Sequence, residues 1–122
     1  MAKTLDDSVL DAALNVVKGA TQLCLCSAQP TNYTEATATY MLILKTGLTT
    51  GSFTGPADDT SGRKITKNAE TAIPVTNSGT VLYAALCSAS VLLAVTTVTS
   101  QVVTAGNTAN TPIFKINLQD PT

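Results

Sequence analysis

The sequence predicts a mainly β protein, an antiparallel β-sandwich of immunoglobulin-like or jelly-roll-like type with one N-terminal α-helix. Three observations carry that reading. Residues 80–104, TVLYAALCSASVLLAVTTVTSQVVT, form the longest apolar run, and its Val and Thr suit a pleated strand better than a helix. Ser88, Ala89 and Ser90 make a small-residue corner within it, so it reads as two central strands folded back on each other. The remainder breaks into short runs separated by Gly, Pro and Asn, giving seven or eight strands in total. Only the first stretch has helical spacing. A chain of 122 residues is enough for one domain and one core, with the helix at about 4–18 and the sandwich at about 20–118.

The helix is expected from Thr4, a cap with Asp7 three residues on, to Lys18, with Gly19 as the stop. Asp6, Asp7 and Asp11 lie in its early turns, where the helix dipole favours negative charge. Leu5, Val9, Ala12, Ala13, Val16 and Val17 follow helical spacing, with Leu10 and Leu14 alongside. So wide a stripe needs cover, either from the sandwich, whose end the helix closes, or from a neighbouring subunit.

Residues 21–27 read as a strand with Leu23 and Leu25 on one face and Cys24 and Cys26 on the other. Pro30 ends it, and residues 28–39 read as a polar loop. Residues 40–45 form a short apolar strand. Residues 46–62, TGLTTGSFTGPADDTSG, carry successive turn signals and read as the least structured part. Residues 63–67 alternate charge and read as an edge strand, where charge discourages aggregation. Residues 72–76 are a short strand limited by Pro74. Asn77, Ser78 and Gly79 turn into the central pair, and Gly106 and Asn107 turn out of it. Residues 111–118 form the last strand, with Phe114, Ile116 and Leu118 sharing a face. The expected core includes Leu23, Leu25, Leu42, Leu44, Leu82, Leu86, Leu92, Val102 and Ile116.

Composition excludes several functions. Net charge is −1, which gives no basic footprint for nucleic acid. A spanning helix needs about 20 consecutive apolar residues. Residues 81–95 fall short, are interrupted by Ser88 and Ser90, and have no flanking Lys or Arg nearer than Lys67 and Lys115. No membrane partner is expected. With no His, neither Ser-His-Asp nor Cys-His catalysis is available. Phosphate-binding and dinucleotide motifs are absent. Glu35 or Glu70 could pair with an Asp in space as a glycosidase requires, but nothing in the sequence supports that pairing. Trp is absent and aromatics are 4%, a poor supply for a sugar or base platform. The chain is expected not to be an enzyme, with no catalytic, cofactor-binding or metal-ligating residue.

Cys24, Cys26 and Cys87 are too few for a zinc site without His, and their odd number disfavours a disulfide framework. Buried free thiols acting as small hydrophobes are expected, as in a chain made in a reducing cytoplasm. The first residues, MAKTLDD, lack an apolar signal core, in line with that expectation. Asp58 and Asp59 suggest a cation, but turn chemistry accounts for them better. Charged residues are only 12% of the chain, while Thr occurs 22 times. Such a neutral surface suits either a β-rich protein or one that packs against copies of itself.

Three blocks taken together, LDAALNVVKGATQLCLCSAQPTNYTEA (10–36), GPADDTSGRKIT (55–66) and SQVVTAGNT (100–108), carry a resemblance. In their order the chain resembles the small virion structural proteins of tailed bacteriophages, of decoration or cement type. It departs from that pattern in its extra cysteines and in lacking a tryptophan around residues 82–86. The resemblance implies a structural protein of the phage particle and no particular location in it. The scarcity of charge, the abundant Thr and the wide helix stripe add the expectation of a homo-oligomer, dimer or trimer, on the capsid surface of the virion, bound to the major capsid protein lattice. Alternatives are a head–tail junction, tail or fibre component, or a host-surface or glycan-binding module.

Overall fold

The computed structural model describes residues 6–60, 62–88 and 90–118. The architecture is mainly β and antiparallel, sandwich-like, with one N-terminal helix, as the sequence predicts. The elements are α1 (Asp7–Lys18), β1 (Gln22–Cys26), β2 (Met41–Lys45), β3 (Phe53–Asp58), β4 (Arg63–Lys67), β5 (Glu70–Pro74), β6 (Gly79–Ser88), β7 (Val91–Val103), β8 (Thr108–Thr111) and β9 (Phe114–Leu118). The large sheet runs β2-β1-β6-β7, a smaller one β3-β4-β9, and a ribbon β5-β8. One apolar core draws Leu23, Leu25 and Leu86 from the large sheet, Phe53 from the small one, and Ile73 and Ala109 from the ribbon.

The helix is capped by Asp6, whose carboxylate accepts from the Ser8 amide at 3.0 Å and from the Ser8 hydroxyl. This corrects the expected cap at Thr4, a residue that lies outside those described. Gly19 does end the helix, and a Cβ there would stand 3.2 Å from the Val16 carbonyl oxygen. The buried face is Leu10 and Leu14, with Val17 half-buried behind them. Val9 and Val16, expected on the covered stripe, are 53% and 63% exposed. An apolar stripe can be wider than the surface available to cover it. The helix packs mainly on β4, with lesser contact to β3, β9 and β7.

The hairpin β6–β7 is as expected, with Ser88 opposite Val91 and Ser90 at positive φ in the turn. Its placement differs from expectation: β6 is interior, but β7 is the outer strand of its sheet. Two expected core positions beside a register shift are also overturned. The shift between Val81 and Tyr83 buries Val81 and leaves Leu82 41% exposed. Val102, opposite Thr80, is 79% exposed. A bulge changes which face each later residue occupies, so simple alternation fails beyond it. Leu44, Leu92 and Ile116 are only half-buried.

The region at 46–62 holds more order than predicted. A 3-10 turn at Thr50–Ser52 leads into β3, which pairs with β4 around a bulge at Gly55 and Pro56. Gly55 has φ +104°, and a Cβ there would meet the Lys64 carbonyl oxygen at 3.0 Å, so the close strand approach requires glycine. Because β3 covers one flank and β9 the other, β4 is the central strand of its sheet and not an edge. Pro112 and Ile113 divide the predicted last strand into β8 and β9. Residues 28–39 also hold structure, a turn of π-helix at Glu35–Thr39.

Candidate functional site

The fold positions four features that deserve a chemical test. The first is the cysteine face. On β1, Leu23 and Leu25 enter the main core, while Cys24 and Cys26 point to the opposite face with Ala85 and Cys87 of β6. Both faces are buried because the 27–40 segment folds over the second one, bringing Tyr33, Ala36 and Tyr40 onto the thiols. The segment holds itself in shape: Glu35 Oε1 accepts from the Thr31 amide at 2.8 Å, and Thr37 Oγ1 donates to the Tyr33 carbonyl at 2.8 Å. Tyr33 donates to Gln22 Oε1 at 3.0 Å, tying the segment to β1. Thr31 hydrogen bonds also hold the Glu35 carboxyl below its usual range.

All three thiols are free and fully enclosed. Cys26 Sγ donates to the Ala36 carbonyl at 3.5 Å, and burial, then the neighbouring Cys87, pushes its pKa up to about 12. The neighbouring Cys87, through a hydrogen bond, and then burial raise the Cys24 thiol far above its ordinary value. Thiolates are what nucleophilic and metal-binding cysteines need; the thiol form is favoured at Cys24 and Cys26, whereas the hydrogen bond with Cys24 lowers the pKa of Cys87 against its burial. Among the described residues no group of three potential ligands is arranged to hold a metal ion.

The aspartate pair is the second feature. Asp58 accepts from Arg63 Nη1 at 2.7 Å, and Asp59 accepts from Lys115 Nζ at 2.9 Å. Lys115 is the first cause of the lowered Asp59 pKa. Each carboxylate therefore has a cation of its own chain. Arg63 also grips Asp11 with two bonds, 2.8 Å from Nε and 3.1 Å from Nη2, and so joins the helix to β4. Its hydrogen bonds to Asp11 and Asp58 raise its pKa further.

Lys67 is the third feature and was missed as a site residue. It is 1% exposed, bonded to Glu70 at 3.0 Å and to the Asn68 carbonyl at 2.7 Å, with its ammonium 5.9 Å from the Phe53 ring centroid. The alternation of β4 placed Lys67 on the face of Ile65, a signal of inward orientation that its charge concealed. The fourth feature is a cleft lined by Leu25, Val81, Val98 and Gln101 on one side and Asn110 and Pro112 on the other. At about 20 Å³ it has room for little more than one water.

No protein family, no curated protein and no solved structure matches this chain. Among the described residues no helix is long and apolar enough to cross a membrane, and residues 81–88 and 91–95 lie in strands β6 and β7.

Proposed function

We propose that this chain is a structural protein of a tailed-phage particle, a decoration or cement protein that binds the major capsid protein lattice and stabilises the head. The observation that supports it most is how the charges are used. Arg63, Lys67 and Lys115 are bound within the chain to Asp11, Asp58, Asp59 and Glu70. Lys45 and Lys64 have no ion-pair partner among the described residues, and around them the surface exposes Val9, Val16, Val91, Val102 and Ile113 among threonines. Such a surface adheres by apolar and neutral polar contact. Copies that bind the assembled lattice and not its separated subunits stabilise the shell by mass action.

The decisive measurement is copy number in purified particles. Hundreds of copies in fixed ratio to the major capsid protein support the decoration reading. Tens of copies favour a junction, tail, fibre or receptor-binding role, and absence from particles rejects the proposal. Salt provides a second test. At about 1 M the screening length is roughly 3 Å, so a charge-held protein leaves the capsid and this one stays bound.

A further inference from the structure

We propose that the outer edge of β7 is a self-association surface, at which a second copy of this chain adds antiparallel across a two-fold axis. This deepens the oligomer part of the functional reading by naming its surface, and it rests on the strand itself, not on capsid binding. An exposed strand edge carries unpaired backbone donors and acceptors, and proteins guard such edges with charge, proline, bulges or cover.

The other edges here are guarded. Val75 bridges Ile43 of β2, and the Thr76 amide donates to the Leu42 carbonyl. The β3 edge is broken at Gly55 and Pro56 and ends on Asp58. Lys115 stands on β9. The ribbon strands are short, and β5 ends at Pro74. By contrast β7 has 13 residues, VLLAVTTVTSQVV, with no charge, no Pro and no Gly, and two bulges are its one guard. Among the described residues no strand pairs with its outer side.

The polarity of β7 points to a second copy as the occupant. It is apolar at both ends and rich in Thr and Ser in the middle. A two-fold axis at Thr97, its middle residue, sets Val91 and Leu92 of one copy beside Val103 and Val102 of the other, and Thr97 beside Thr97. Residues on such an axis meet themselves, so a charged strand repels its own copy while this one does not. Two register shifts against β6 put extra residues into β7. The larger shift lies at 98–100, opposite 94–96 of the partner copy, so the ladder is interrupted there and the apolar ends supply most of the contact.

Area sets the strength. A strand of this length spans roughly 44 Å, and a sheet about 10 Å thick then buries at most roughly 900 Å² in total. That lies below the roughly 1,200 Å² of stable interfaces. The product is a reversible dimer, not an obligate one.

Sedimentation velocity of the full chain, from low to high hundreds of micromolar, tests this without capsids. The expected result is a monomer–dimer equilibrium that Thr97→Lys and Val102→Lys each weaken by roughly tenfold or more. Val16→Lys, on the exposed helix face, should leave it unchanged. Val102 is 79% exposed, so its variant keeps the fold even where Thr97→Lys does not. A chain that stays monomeric throughout overturns the proposal. So does a dimer indifferent to Val102→Lys, or one that Val16→Lys dissolves. Failure to bind capsids rejects the decoration reading and leaves this equilibrium standing.

Discussion

The large and small sheets of this protein are held together by different forces. In the four strands of the large sheet Lys45 is the one charged residue. The three strands of the small sheet carry Asp58, Arg63, Lys64, Lys67 and Lys115. The large sheet coheres by burying Leu23, Leu86 and Val81 on one face and three thiols on the other. The small sheet and the helix are joined by Arg63 bridging Asp11 to Asp58, over the smaller apolar contact of Leu10, Leu14 and Ile65. Apolar burial is indifferent to salt and protonation, whereas exposed ion pairs respond to both. The two halves should therefore fail under different conditions.

Leu86→Ala tests the large sheet. Its side chain is 1% exposed between Leu23 and Ala94, so truncation should cost about 2–5 kcal/mol in urea unfolding. A loss under about 0.5 kcal/mol, the range of surface substitutions, would show that this core is not what holds the sheet. For the small sheet the corresponding change is Glu70→Gln, which leaves the Lys67 ammonium enclosed without its carboxylate. Removing one member of a buried pair costs about 3–5 kcal/mol. Glu70 retains some exposure, so about 3 kcal/mol is expected, and restoration by the paired Lys67→Met change would locate the loss in the stranded charge.

Acid should separate the sheets more finely. The folded pKa of Asp59 lies below its ordinary 3.8 because Lys115 donates to it. A lowered carboxyl contributes stability above its unfolded pKa and loses it as pH falls through the folded value. Hydrogen exchange should thus show small-sheet amides losing protection as pH drops from about 4, before those of β1 and β6. Lys115→Met should remove part of that dependence, and a simultaneous loss in both sheets would contradict the division. The smallest effect concerns the thiols. Native Cys26, with its pKa near 12, and its enclosed neighbours should resist alkylation at pH 8 until the chain unfolds. Rapid modification of the folded protein would mean that the 27–40 cover opens readily.

The sequence by itself determined the features set by neighbouring residues. Turn chemistry at Ser88 to Ser90 and at Gly106 specified where the chain reverses. Alternation in residues 22–26 separated leucines from cysteines, and helical spacing with Gly19 placed the end of α1. No candidate site was legible as chemistry, and the surface reading rested on the scarcity of charge. Tertiary structure decided what depends on distant partners. The Gly- and Pro-containing stretch Phe53–Asp58 becomes a strand because β4 supplies its ladder, and β4 is central because β9, some fifty residues later in the chain, covers its other flank. Lys67 is buried because Glu70 and Phe53 meet it there. Leu82 and Val102 face solvent because register shifts between β6 and β7 reassign faces that alternation alone cannot follow. Local propensity fixes turns and periods, whereas register, edge position and burial follow from which strand lies alongside.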